Sequence, residues 1–137
     1  MKYIFVLLTT TLFFGCSPKI SPDAGWGYQR WVLTEMKGVP VQQSGGRRDA
    51  FISFTITEKR FSGNAGCNQM NGNYSLDKND IRFTEVITTK MSCDDIEFEN
   101  TFLATLAEVT GYEVDGTNLK LKKRRTTVLV LTSRQVR

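Results

Sequence analysis

A short apolar segment near the N-terminus ends at a cysteine, and it determines which residues remain to form the folded domain and in which compartment they fold. An apolar run occupies residues 3–14 after Lys2, and Gly15 and Cys16 follow it at once. The run is shorter than the roughly 20 residues of a membrane-spanning helix, and its length is typical of a secretory signal. The sequence therefore predicts that residues 1–15 are removed and that Cys16 carries lipid. A permanent N-terminal anchor with an unmodified cysteine is the alternative.

Cleavage before Cys16 leaves 122 of the 137 residues, which is a usual size for one domain. Residues 16–27 hold two of the three prolines with Ser, Gly and Lys, and their lack of periodicity indicates a lipidated tether. We expect one folded domain over residues 28–132 and a basic tail over residues 133–137. We expect a monomer that is anchored by lipid in the cell envelope, at the outer membrane or the periplasmic face.

The two other cysteines are available to pair in such a compartment. Cys67 and Cys93 are the only thiols left once Cys16 is assigned to lipid, and exported proteins commonly oxidise such pairs. A bridge between them would constrain the unfolded chain by about 3.5 kcal/mol. We expect this disulfide, with two unpaired buried thiols as the alternative.

Alternation of apolar and polar residues predicts a β-rich domain. Residues 51–57 alternate most clearly, with Ile52, Phe54 and Ile56 on one face. Turn residues separate further short strands of the same kind. These strands are predicted at residues 31–33, 60–64, 73–76, 81–84, 112–114, 119–121 and 128–131.

One helix is predicted, over residues 93–110. Ser92 and Asp95 resemble a capping box, and Gly111 supplies a stop. An apolar stripe recurs at helical spacing, formed by Phe98, Phe102, Leu103, Leu106 and Val109. The acidic residues near the helix start favour its dipole, although they could instead bind a cation or act as an acid/base pair: Asp94, Asp95, Glu97 and Glu99. The sequence predicts an α+β fold, in which a strongly curved, barrel-like antiparallel β-sheet packs against this helix.

Three blocks of sequence occur in a fixed order. They are Gly-x-x-Gly-Cys-Asn at residues 63–68, Thr-x-Met-x-Cys at residues 89–93, and the amphipathic segment 99–106. In this order they resemble the META domain, also called the HslJ-like or DUF306 family, over nearly all of residues 28–131. The resemblance implies an envelope-associated protein, linked in some members to heat shock, novobiocin tolerance or secretion and motility. It implies no established catalytic activity.

The first block and the residues after it are rich in side-chain amides. Gly63 and Gly66 allow backbone turns and close packing. The amides can satisfy a tight turn through Asx-type hydrogen bonds, or they can form a small surface for a polar ligand such as a glycan or a peptide. The residues concerned are Asn64, Asn68, Gln69, Asn71 and Asn73.

The composition disfavours an enzyme. The chain has no histidine, which removes the commonest general base and the commonest transition-metal ligand. We therefore expect no catalytic residue, no metal and no cofactor. A carboxylate pair drawn from Asp77, Asp80 and Glu85 is the remaining route to hydrolysis, although the first two fit a turn better.

A basic run at residues 122–125 could suggest nucleic acid, but an exported protein rarely meets any. We expect a solvated hairpin turn there, with attraction to anionic lipid as the alternative. The favoured function is a non-catalytic, stress-related or interaction module that meets an envelope protein or a cell-wall component through one face of the sheet. The alternative is a hydrolase inhibitor or small polar-ligand binder that uses a loop at residues 68–73.

Overall fold

The computed structural model describes residues 25–27, 29–45 and 49–135. The predicted signal, Cys16 and most of the tether lie outside these residues. Within them the chain forms one helix and nine strands. In chain order the elements are β1 (Gln29–Met36), β2 (Val39–Pro40), β3 (Phe51–Thr55), β4 (Arg60–Asn64), β5 (Gln69–Asp77), β6 (Asp80–Thr88), α1 (Ile96–Ala107), β7 (Gly111–Asp115), β8 (Asn118–Lys123) and β9 (Thr126–Gln135).

The strands form one antiparallel sheet that curves into a ring. Its order is β2-β1-β3-β4-β5-β6-β7-β8-β9, and a further pairing of β1 with β9 joins the two sides. The register of that pairing shifts between Leu33 and Glu35, which is an irregularity of the kind that bends a strand. The predicted α+β class, a strongly curved antiparallel sheet with one packed helix, is confirmed.

The core lies inside the ring because each strand turns alternate side chains inward. Ile52 and Phe54 of β3 are buried there, as their alternation predicts. Helix α1 packs on β6 and β9 and adds Phe102 and Leu106 to the same core. Of the predicted apolar stripe, Val109 is also buried beyond the end of the helix, and the other two members pack at its edge.

Trp26 also belongs to this core, although the sequence placed it in the tether. Its side chain is 3% exposed, and its ring centroid lies 4.9 Å from that of Phe54 and 5.1 Å from that of Tyr112. The packed structure therefore includes Trp26. At the other end β9 continues to Gln135, so residues 133–135, expected in the tail, pair with β1.

The helix is shorter than predicted. It spans Ile96–Ala107 rather than residues 93–110, and its N-cap is Asp95 rather than Ser92. The Asp95 carboxylate accepts a hydrogen bond from a backbone N–H of the first turn at 3.4 Å. Gly111, predicted to stop the helix, instead opens β7. Among the described residues, no helix has the length and apolar character needed to cross a membrane.

The amide-rich segment differs most from its prediction. Residues 69–73 form the first half of β5, paired to β4 on one side and, from Met70 onward, to β6 on the other. The loop expected at residues 68–73 is therefore wrong beyond Asn68. Gln69, Asn71 and Asn73 are each two residues apart along β5, so their side chains lie in a row on one face of the strand. They therefore do not gather in one turn.

Candidate functional site

The turn between β4 and β5 holds the Gly-x-x-Gly-Cys-Asn block in one tight conformation. The Asn64 side-chain oxygen accepts a hydrogen bond from Gly66 N at 2.7 Å, as an Asx turn requires. Gly66 has a φ of +117°, and a Cβ there would lie 2.8 Å from the Phe98 ring. A Cβ on Gly63 would lie 1.9 Å from the carbonyl oxygen of Phe51. Both glycines are therefore required by packing, as predicted.

A buried carboxylate secures this turn from the helix side. Glu99 of α1 is 3% exposed, and its Oε2 accepts hydrogen bonds from Asn68 N at 2.7 Å and Cys67 N at 3.3 Å. Its Oε1 accepts from the Asn68 side-chain nitrogen at 2.9 Å. Three donors therefore stabilise one ion that would otherwise be costly to bury.

Sequence reasoning grouped Glu99 with the exposed acidic residues and missed this role. The signal was its position, because Glu99 precedes Phe102 by three residues and Leu106 by seven, which places it on the buried stripe. The carboxylate needs no cation there, because its acceptor sites face backbone and amide N–H groups.

Asn68 also accepts hydrogen bonds from the segment that precedes the helix. Its Oδ1 accepts hydrogen bonds from Met91 N at 2.6 Å and from the Thr89 hydroxyl at 2.9 Å. The same hydroxyl accepts from Gln69 N at 3.1 Å. We call this set the clamp: Glu99, Asn68, Thr89 and the Met91 backbone. It holds residues 89–91 against the turn.

A disulfide also joins the β4–β5 turn to the segment that precedes the helix. Cys67 in the turn is bonded to Cys93, with their Cα atoms 6.2 Å apart. The predicted bridge is therefore present. The bridge and the clamp hold residues 89–93, which form neither helix nor strand, against the turn, and the helix begins only after them.

A broad groove of about 1230 Å³ opens beside this junction. Its floor is the outer face of β1, β3, β4 and β5, and its two walls are residues 36–43 and residues 91–98. The outer face is continuous because its side chains stand opposite one another in register. The floor side chains are Arg30, Phe51, Ser62, Asn64, Gln69 and Asn71.

Several polar groups on the floor have no hydrogen-bond partner among the residues that the structure describes. The side-chain amides of Gln69 and Asn71 make no hydrogen bond to any residue that the structure describes. The Arg30 guanidinium lies 3.6 Å above the Phe51 ring, and its buried Nε has no acceptor among the described residues. The groove therefore presents donors and acceptors to an external molecule.

One acidic group in the groove is already satisfied. Burial tends to raise the pKa of Asp49, but hydrogen bonds from the Ser44 backbone and hydroxyl outweigh it and hold that pKa below its usual value. The donor–acceptor distances are 2.7 Å from the backbone nitrogen and 2.9 Å from the hydroxyl. Asp49 therefore holds Ser44 in place beside the groove through these hydrogen bonds and is not positioned as an acid or a base.

The structure divides the five predicted amide residues among four roles. Asn64 shapes the turn, although it also borders the groove, and Asn68 is buried in the clamp. Gln69 and Asn71 line the groove, and their side chains have no hydrogen-bond partner in the described part of the chain. Asn73 lies outside the groove lining and donates a hydrogen bond to Glu85, which sits at a β-bulge with a φ of +52°. The turn interpretation therefore applies to Asn64, and the ligand-surface interpretation applies to Gln69 and Asn71.

The carboxylates considered for hydrolysis are not gathered into a site. Asp77 and Asp80 pair across the β5–β6 hairpin turn, as their turn interpretation predicts. Glu85 lies five residues further along β6, which is about 16 Å in a strand. Among the described residues there is also no group of three or more Cys, Asp or Glu side chains placed to hold a metal ion.

The basic run forms the hairpin turn between β8 and β9. Much of the basic charge around it is paired: Lys122 with Glu113, Lys120 with Asp115 at 3.0 Å, and a third pair at 3.0 Å between Lys123 and Glu108. The hydrogen bond and charge of Lys122 lower the pKa of Glu113, and the bond to Asp115 raises the pKa of Lys120. The expected hairpin turn is therefore confirmed.

Comparison with known proteins supports the fold and the family. The family model described as META domain matches residues 26–136. An NMR structure is 24% identical, with a TM-score of 0.62, over 85% of this chain and 96% of its own. An NMR structure of a protein from Burkholderia xenovorans is 19% identical, with a TM-score of 0.64, over 86% of this chain and 94% of its own.

A third similar structure is the 1.00 Å crystal structure of a DUF4847 family protein from Bacteroides vulgatus. It is 16% identical, with a TM-score of 0.60, and the alignment covers 85% of this chain and all of that chain. At these identities the three likenesses show the shared fold alone. No curated protein matches the sequence significantly.

Proposed function

The chain belongs to the META domain family, and on that basis we propose that it is a non-catalytic module of the bacterial cell envelope. In this proposal lipid on Cys16 holds the domain at a membrane, and the groove binds an envelope protein or a cell-wall component. The single observation that carries the proposal is the groove floor, where the side-chain amides of Gln69 and Asn71 stand on a strand with no partner among the described residues.

The envelope location is supported by two independent features. The N-terminal run that ends at Cys16 has the length and order of a lipoprotein signal. The Cys67–Cys93 bridge fits an oxidising compartment outside the cytosol. The two features are far apart in the chain, so they support the same location separately.

A non-catalytic role is supported by the state of the charged groups. The META domain family is not known as enzymatic. In this chain the buried Glu99 and Asp49 carboxylates are each held by hydrogen-bond donors of the fold. A general acid or base must instead reach a substrate proton within about 3 Å. The groove therefore suits binding better than reaction.

The location is tested by mass spectrometry of intact protein extracted from membranes. The result expected is a chain that begins at Cys16, carries acyl groups and lacks the two hydrogens of Cys67 and Cys93. The Cys16→Ala variant should lose the acyl mass and leave the membrane fraction. An acyl-free, unprocessed chain with titratable thiols would contradict the proposed location.

Binding is tested by recovery of partners from envelope extracts. We expect the Gln69→Ala, Asn71→Ala double variant to lose the partners that the unaltered chain retains. The matched control is Ser75→Ala, an exposed residue further along the same strand and outside the groove lining. Asn68 is unsuitable for this test because its replacement opens the clamp. Equal recovery with both variants would exclude the groove.

A further inference from the structure

Two strongly exposed aliphatic side chains line the groove, and two more lie next to its lining residues. Val39 and Met91 stand on opposite walls, and they are 64% and 62% exposed. Ile87, also 62% exposed, pairs in register with Asn71 at the edge of the floor. Ile96 follows a wall residue and is 42% exposed. Such a cluster of exposed apolar side chains marks a surface that binds protein.

The nature of these side chains distinguishes between possible occupants. A hydroxyl-rich glycan loses hydrogen bonds to water when it is pressed against aliphatic groups. The one aromatic ring on the floor, Phe51, has a face covered by the Arg30 guanidinium. The apolar rim is therefore better suited to the aliphatic side chains of a polypeptide.

The free amides have the spacing of an extended peptide. Gln69 and Asn71 are two residues apart on one face of β5, which is about 6.6 Å. An extended peptide that lies along this strand repeats its own backbone groups on each face at the same interval. Each side-chain amide offers donors and an acceptor, so it can bond a backbone C=O or N–H.

The charges around the groove are complementary to a segment that carries basic residues. Asp94 and Asp95 line the wall formed by residues 91–98, and Glu97 follows them. All three are exposed, and none forms an ion pair with any residue that the structure describes. Arg30 lies on the far side of the floor, about 14 Å from Asn71 across three strand spacings.

We propose that the groove binds an extended segment of another envelope polypeptide. Its aliphatic side chains contact Val39 and Met91, its backbone bonds Gln69 and Asn71, and a basic side chain faces Asp94. This proposal rests on the proposed function and specifies the partner of the same groove.

The test begins with a phage-displayed library of random decapeptides, selected against the full mature chain in detergent. Selected peptides should combine aliphatic residues with at least one Lys or Arg. In fluorescence anisotropy, Val39→Ser and Met91→Ser should each weaken such a peptide about tenfold, and Asp94→Lys should weaken it by at least as much. Val114→Ser is the matched control, since this valine is 44% exposed but lies outside the groove lining.

A second probe, purified cell-wall glycan strands, separates the two proposals. Glycan binding that is lost on Asn71→Ala but unchanged on Val39→Ser and Met91→Ser would overturn the peptide proposal and support the proposed function. Peptide binding that Val114→Ser weakens as much as Val39→Ser would overturn the peptide proposal as well. If neither probe binds in a way that depends on Asn71, both proposals are wrong.

Discussion

The clamp predicts that an exchange of charge between two positions restores what each single substitution destroys. In the native turn the Glu99 carboxylate accepts from two backbone N–H groups and from the Asn68 amide. Glu99→Gln keeps one oxygen for the backbone donors but turns its own NH₂ group toward that of Asn68. A buried donor that loses its acceptor, together with the lost ionic character of the bonds, costs about 2–3 kcal/mol.

Asn68→Asp alone has the opposite fault. It places a second carboxylate 2.9 Å from the oxygen of Glu99 in a buried site, which costs about 3–5 kcal/mol. In the double variant the new carboxylate at position 68 accepts from the new amide at position 99. The other oxygen at position 68 still accepts from Met91 N and Thr89, so every donor has an acceptor again.

The assay is urea unfolding of the four proteins at neutral pH, with the disulfide confirmed intact by mass. We expect the double variant to be more stable than either single variant, so the coupling free energy in the double-mutant cycle must exceed the larger single loss of about 3–5 kcal/mol. At about 1–3 kcal/mol per molar urea, a coupling of that size places the urea midpoint of the double variant at least about 1 M above the value that additive losses would give. Additive losses, with the double variant least stable of all, would refute the Glu99–Asn68 hydrogen bond.

Three further predictions concern stability. Reduction of the bridge, or Cys93→Ser, should lower the free energy of unfolding by about 3.5 kcal/mol for a sequence separation of 26, measured by urea unfolding with and without reductant. Trp26→Ala should cost about 3–5 kcal/mol by the same assay, whereas an unchanged midpoint would show that Trp26 belongs to the tether after all. Because the folded pKa of Asp49 is lowered, its contribution should be complete above about pH 5 and lost as pH falls below about 4. Asp49→Asn should flatten this acid limb of the stability curve, and an unaltered slope would contradict the hydrogen bonds to Ser44.

The fold was predictable where local pattern and tertiary structure agree. Residues 51–55 alternate because one face of β3 lies in the core, and the helical stripe recurs because α1 packs one side against the sheet. Gly63 and Gly66 could be assigned to close packing because no other residue tolerates such contacts. The pairing of Cys67 with Cys93 followed from elimination and compartment, and the structure brings the two together.

The remainder depends on contacts between distant parts of the chain. Glu99 stands in an acidic run and was grouped with the residues that favour the helix dipole, although its helical position placed it with Phe102 on the buried side. Asn71 and Asn73 suggested a turn by their propensity, but pairing on both sides overrides that preference and makes them part of β5. Trp26 follows a segment without periodicity, and only the aromatic rings around it identify it as core.

The groove could be predicted only in part. The two amide residues of the groove floor, Gln69 and Asn71, were among the five named from the sequence. The sequence did not distinguish them from the clamp residue Asn68. The separation depends on tertiary structure, because Gln69 and Asn71 lie on the outer face of β5 whereas Asn68 lies in the turn before it and bonds Glu99. The opposing walls come from segments more than 40 residues apart, so no local pattern could join Val39 to Met91.

The most direct test of the account is site-specific photo-crosslinking of the full-length, natively processed chain in its own cells. A photoreactive side chain in place of Asn71 should yield an adduct with an envelope polypeptide, and one in place of Ser75 on the same strand should yield none. Substitution of Gln69 by Ala should abolish the adduct from position 71. No adduct at position 71, or the same adduct from both positions, would contradict the claim that this protein acts by binding through the groove.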